Sequence, residues 1–284
     1  MSPLVQNISD TAKWVAVFRA DESDRPDAIF HDPYARKLAG EKGVEIANAI
    51  TFSKKNSWSF VARTYLFDEY VKQHVEQGYD MIINLAAGLD TRPYRMNLPS
   101  SLNWIDIDLP DILNYKQAIL ANEKPNCQLR SIQMDLSDRN SRIELFKQLG
   151  EESKKALIVT EGLMIYLSPE EAATLSSDLS AQNSFQRWAF DLASPSLLEM
   201  AQKEMGTLLK EGNAVFKFAP EEGEEFFHSY GWKHIESKSK FKTAGKLNRL
   251  SDELKPFAEM PEPEGPKRLF PWTGVCLFEN SNTL

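Results

Sequence analysis

Four acids and one glycine turn are the residues whose types and spacing point to chemistry. Asp106 and Asp108 alternate in Trp104-Ile105-Asp106-Ile107-Asp108. Asp135-Leu136 and Glu161-Gly162 each follow a run of strand length. Upstream lies the turn Ala86-Ala87-Gly88-Leu89-Asp90-Thr91-Arg92, at the end of the apolar run Met81-Ile82-Ile83-Asn84-Leu85. An acid about 20 residues past such a turn suits a ribose, because one carboxylate accepts hydrogen bonds from both hydroxyls. Period-two alternation puts Asp106 and Asp108 on one face, one to bind and one to support. An acid after the third strand accepts from an exocyclic adenine amine, with Leu136 against the ring. The turn holds a single glycine, whereas a dinucleotide loop uses three to bring backbone to a pyrophosphate. A ligand without phosphate needs less, and S-adenosylmethionine is such a ligand.

These residues need strand ends to hold them. After the run at 81–85, strands are expected at 102–109, 129–134, 155–160 and 187–192, each followed by a helical segment. Ala156-Leu157-Ile158-Val159 is apolar throughout, as a strand covered on both faces requires. Segments 232–239 and 270–278 read as antiparallel closing strands, separated by the Pro-rich loop 260–266. Asp138 is expected to cap a helix to about Leu149, and Ser168-Pro169-Glu170-Glu171 is a capping box for the next. Residues 196–211 read as a helical lid and 221–230 as a further helix stopped by Gly231.

Upstream of the first strand the pattern is helical. Ser9 or Asp10 caps a helix over 9–23, with Trp14, Val15, Val17 and Phe18 on its apolar side. Asp32 and Pro33 open a short helix that Gly40 stops. Residues 57–75 form a long helix with Arg63 beside its core face. The fold expected is α/β and Rossmann-like: a mostly parallel seven-stranded sheet with helices on both faces. It makes one domain over 1–284, with a helical cap at 1–77, a core at 78–284 and a lid near 195–225.

The 284 residues carry a formal net charge of −8, which argues against nucleic acid, whose phosphates are met by excess Lys and Arg. Cys127 and Cys276 lack metal-ligand spacing and read as reduced residues of a cytoplasmic protein, so no metal is expected. No apolar run reaches the roughly 18–20 residues of a membrane helix, and the start Met1-Ser2-Pro3-Leu4 has no signal-peptide pattern.

Taken together, the blocks Arg19-Ala20, Glu22-Ser23, Arg25-Pro26-Asp27, Asp32-Pro33-Tyr34, 85–92, 106–110 and Glu161-Gly162 resemble the leucine carboxyl methyltransferase family. This family includes bacterial relatives that methylate polyketide carboxyls. The resemblance implies a class I, S-adenosylmethionine-dependent O-methyltransferase. It implies Arg63 on the cofactor's methionine carboxylate, close backbone approach at Gly88 beside Asp90, and Asp108 rather than Asp106 on the ribose. Asp135 and Leu136 would take the adenine, and Glu161 the amino group or sulfonium. Where the family usually has glycine this chain has Ala86, whose methyl group would crowd the methionine part.

The acceptor expected is a carboxylate of a small molecule or peptide. A carboxylate is ionised at pH 7 and needs no base, whereas a phenol would benefit from one. None of the four histidines falls at a strand end of the nucleotide sheet, and only His31 is placed to reach a site. Arg19, Tyr34, Arg92 and His31 are the candidates to orient the acceptor. A phenolic or hydroxyl acceptor, a non-catalytic adenosyl-ligand sensor and a nicotinamide oxidoreductase are the competing readings.

Overall fold

The computed structural model describes residues 4–5, 7–212, 214–261 and 270–282. The Pro-rich loop at 260–266 therefore lies mostly outside the described residues. Seven strands form one sheet: β1 (Met81–Leu85), β2 (Asn103–Asp108), β3 (Gln128–Gln133), β4 (Ala156–Thr160), β5 (Phe185–Ala193), β6 (Trp232–Ser239) and β7 (Thr273–Asn280). Their order is β3-β2-β1-β4-β5-β7-β6. The first five run parallel, and β7 returns antiparallel between β5 and β6. This is the α/β sheet expected from the sequence. Chain order reverses between β1 and β4, so a crevice opens there above the carboxyl ends of the strands.

Every residue of β1 and of β4 is buried, as strands in the middle of a covered parallel sheet must be. One face packs on α7 (Arg139–Glu152) and α8 (Pro169–Ser180), through Leu145, Phe146, Leu175 and Leu179. The other packs on α4 (Ser57–Glu76), through Leu66, Phe67, Tyr70 and Val71. Asp138 caps α7 by accepting from Ser141 N, and the capping box of Ser168 and Glu171 is complete at α8.

Four helices precede the sheet: α1 (Ile8–Ser23), α2 (Ala35–Ala49), α3 (Thr51–Lys55) and α4. Phe18 stacks on Phe60 at 4.6 Å and Trp14 meets Phe60 edge-on at 5.4 Å, which fixes α1 against α4. The α1 cap is Asn7, not Ser9 or Asp10; its side chain accepts from Asp10 N. Gly40 bends α2 but does not end it. Its φ of 58° interrupts the helix, which resumes to Ala49. Asp32 stands two residues ahead of Tyr34, the cap residue of α2: its Oδ1 accepts from Tyr34 N at 3.2 Å, while its Oδ2 accepts from Arg19 at 2.9 Å and Thr91 Oγ1 at 2.7 Å.

After the glycine turn comes only one turn of helix, α5 (Arg92–Arg95), before β2. The helix α6 (Pro110–Ile119) follows β2. The expected lid is α9 (Pro195–Glu211), capped by Ser194 through Leu197 N. Segment 223–230 is a 3-10 helix, not an α-helix; Gly231 ends it at φ 87°. Two short helices, α10 (Lys240–Lys246) and α11 (Lys255–Glu259), have no counterpart in the sequence reading. Among the described residues no helix is long and apolar enough to cross a membrane, and no cluster of His, Cys, Asp and Glu forms a candidate metal site.

Candidate functional site

A cavity of about 290 Å³ lies over the carboxyl ends of β1, β2, β4 and β5. Its floor is the turn after β1, the end of β2 at Asp108, the turn at Glu161-Gly162 and the end of β5 at Asp191. Side chains of α1, α3, α4 and α9 wall it, with Lys240 at the start of α10. Of the sequence candidates, Arg19, Arg63, Ala86, Gly88, Asp90, Arg92, Asp108 and Glu161 line it. His31, Tyr34, Asp106, Asp135 and Leu136 do not.

The two acids of β2 divide their work. Asp106 is fully buried and accepts from Lys116 Nζ (2.7 Å), Trp104 Nε1 (2.8 Å) and Asn84 Nδ2 (3.1 Å). It is a support buried behind the cavity. Asp108 lines the cavity, and its carboxylate accepts from Gly88 N at 2.6 Å and Leu109 N at 2.7 Å. Burial nevertheless pushes the Asp108 carboxyl above its ordinary range, against those two backbone donors. The Gly88–Asp108 bond joins the glycine turn to the acid, and Gly88 has φ 51°. Ala86 has the same φ of 51° in the left-handed region that favours glycine.

Arg63 projects from α4 into the opposite end of the cavity. Its Nε donates to Glu161 Oε1 at 3.0 Å and its Nη1 to Asp191 Oδ2 at 3.2 Å. Asp191 Oδ1 also accepts from Gly162 N at 2.7 Å. Burial opposes the charge on Asp191, but Arg63 and Lys240 overcome it and hold the carboxyl below its usual range. Asp191 and Lys240 were not among the sequence candidates. Asp191 had a signal, an acid near the end of the fifth strand. Lys240 had none, since it arrives from a helix that the pattern did not reveal.

Two arginines expected to orient an acceptor are instead occupied by the fold. Arg92 is buried and reaches three carboxylates: Asp68 and Asp90 at 2.7 Å each, and Glu161 Oε2 at 2.8 Å. Arg19 donates to Asp32 at 2.9 Å and to Leu89 O at 2.6 Å, which pins α1 to the turn after β1. His31 is exposed, and Tyr34 packs edge-on against Tyr94 at 5.9 Å. Asp135 is exposed and folds back to accept from Ser137 N at 2.9 Å, as a turn residue does. Leu136 packs partly into the core beneath.

Residues 12–180 match the leucine carboxyl methyltransferase family. The chain belongs to that family. A Mycobacterium tuberculosis protein named for S-adenosyl-L-methionine-dependent methyl transfer is 32% identical over 178 residues, 58% of this chain and 54% of that one. The chain thus spans about half the length of such relatives. A Frankia alni protein with the same description is 28% identical over 257 residues, 84% of this chain and 88% of its own. Among solved structures, a DUF574 family protein from Streptomyces avermitilis superposes with TM-score 0.58 at 13% identity, over 94% of this chain and 96% of that one. A Thermobifida fusca protein described as a methyltransferase gives TM-score 0.56 at 15% identity, over 98% and 96%. These two share the fold.

Proposed function

We propose that this protein transfers the methyl group of S-adenosylmethionine to a carboxylate oxygen, forming a methyl ester. The observation that carries the reading is the pair of charged constellations at the two ends of one cavity, Gly88–Asp108 over β2 and Arg63–Glu161–Asp191 over β4 and β5. They suit the two ends of this cofactor. Asp108 offers a half-buried carboxylate to the ribose hydroxyls. Arg63 offers a planar guanidinium to the methionine carboxylate, and Glu161 and Asp191 offer negative charge to the ammonium and the sulfonium. The glycine-poor turn fits a ligand without phosphate.

When bound, the cofactor supplies an electrophilic methyl group, which the acceptor oxygen takes while the S–C electron pair stays on sulfur. With a carboxylate acceptor no proton moves, so this chain's task is to hold oxygen and methyl in line and keep water out. No histidine is among the described residues that line the cavity, consistent with an acceptor that needs no base. The test is the product's lability. Protein incubated with methyl-labelled cofactor and a panel of acids and phenols is expected to give label released by mild base. A product stable to base would be an ether and would remove the carboxylate assignment.

A further inference from the structure

The cavity extends well beyond the charged groups. On the side of α1 and α9 its walls include the apolar Trp14, Phe60, Leu198, Ala201, Met205 and Phe216, beside the polar Ser9 and Thr11 and beside Arg19, whose guanidinium is taken by Asp32 and Leu89 O. Leu198, Ala201 and Met205 fall at helical spacing on one face of α9. Ala201 and Met205 are each 7% exposed, so this face is directed inward. Water in such a space finds few hydrogen-bond partners, and apolar surface replaces it favourably.

Lys240 stands where this apolar part meets the charged end. It is 6% exposed, and among the described residues its ammonium has one hydrogen-bonding contact, Asp191 Oδ2 at 3.5 Å. That oxygen already serves Arg63. A buried ammonium carries three donors, and a single long contact leaves it short of partners. Burial lowers its pKa against the pull of Asp191. Lys240 and Asp191 both stand past β4, away from Asp108. The cation therefore faces the half of the crevice that the ribose-binding acid does not serve.

We infer that the acceptor is an acid with an extended apolar body, its carboxylate held by Lys240 and its body lying between α1 and α9. This rests on the methyl-transfer reading above. Lys240 holds one carboxylate oxygen, which leaves the other to form the C–O bond as the S–C bond breaks. The cation makes up the hydrogen bonds it lacks, and the apolar wall selects for chain length.

The experiment measures binding of straight-chain acids of four to fourteen carbons, and of their primary amides, to protein saturated with S-adenosylhomocysteine. Acid affinity is expected to rise about fourfold per added methylene until the pocket is full. Acids are expected to bind at least tenfold tighter than amides of equal length. In Lys240→Met that preference should vanish and in Lys240→Arg it should return, each variant being compared at its own saturating S-adenosylhomocysteine concentration because Lys240 also contacts Asp191. Ala201→Leu should shift the optimum to shorter chains, and thermal melts establish that each variant is folded. Affinity independent of chain length would overturn the apolar body while leaving the ester reading in place. A preference for acids that survives in Lys240→Met would overturn the role of Lys240. Equal binding of acids and amides, together with a base-stable methylated product, would remove the carboxylate and with it the ester reading.

Discussion

Arg63 Nη1 and Asp191 Oδ2 are 128 residues apart in the chain and 3.2 Å apart in space. The contact ties α4, which precedes the sheet, to the end of β5, and Glu161 closes the triangle through Arg63 Nε. Both acids are held by one guanidinium inside the cavity, which is therefore positioned to exchange part of its contacts for a bound carboxylate.

Arg63→Ala is expected to weaken S-adenosylhomocysteine binding by about 1.5–3 kcal/mol, the value of a hydrogen bond to a charged group. It should also lower stability, because Glu161 and Asp191 would then share a buried site without the cation between them. Titration calorimetry and a urea melt report the two effects separately. An unchanged dissociation constant with a lowered midpoint would mean that Arg63 serves only to hold the two acids.

The two β2 acids should separate cleanly by substitution. Asp106→Asn leaves the Lys116 ammonium buried without its counter-charge and is expected to cost about 3–5 kcal/mol of stability. Asp108→Asn keeps the shape of the turn but loses the charged acceptor, so its main effect should be on ligand affinity, by about 1.5–3 kcal/mol. If Asp106→Asn proved as stable as the parent and bound ligand poorly, the assignment along β2 would be displaced by two residues.

Much of this arrangement was readable because it is local. Asp138 and the Ser168–Glu171 box cap helices through contacts three residues away, and the strands announce themselves by apolar runs. The acids at the ends of β2 and β4 follow from the chain order of the sheet. What sequence pattern does not encode is where a side chain points once elements pack. Spacing put Arg63 only beside an apolar stripe, and its expected role came from the family resemblance; the phase of α4 against β4 and β5 is what turns it inward. Lys240 reaches the cavity because β6, outermost in the sheet, delivers α10 beside α4. Arg92 and Arg19 showed the right charge for an acceptor, but Asp68 and Asp32, both far off in sequence, occupy them.

Ligand binding should fail in acid before the fold does. Burial raises the Asp108 carboxyl above the ordinary range, so the proton that spoils ribose binding arrives at a higher pH than for an exposed acid. Asp191 is held below that range; burial raises it, but Arg63 and Lys240 prevail. For a depressed acid the stabilisation is complete above the unfolded pKa of about 3.9 and is lost only as pH falls through the folded value. For Asp108 the sign is opposite, since a raised folded pKa means protonation favours the native state. S-adenosylhomocysteine affinity is therefore expected to decline on acidification while the melting temperature holds. Asp108→Asn should be weaker throughout and nearly flat over the same interval. Parallel loss of affinity and melting temperature would show that the binding change is only unfolding.

Ala86 is the position where the fold and the residue disagree. Its φ of 51° sits in the left-handed region, where a β-carbon crowds the following carbonyl at a cost of about 1–2 kcal/mol. The turn is held there regardless, because Ala87 N donates to Ile107 O and Asp90 N to Ala87 O, and Gly88 N is fixed by Asp108. Ala86→Gly removes the β-carbon, and its entropic cost in the unfolded chain, about 0.5–1 kcal/mol, offsets part of the gain. The net expectation is a stability gain of a few tenths to about 1 kcal/mol, read from the urea midpoint. The same change takes a methyl group from the cavity lining, so S-adenosylhomocysteine should bind at least as tightly as to the parent. The reverse substitution type supplies the control: Ala86→Val keeps the positive φ demand with a β-branched residue and should lose stability by more than 1 kcal/mol. A less stable Ala86→Gly, or one that binds the ligand more weakly, would mean that the alanine side chain supports the turn and does not strain it.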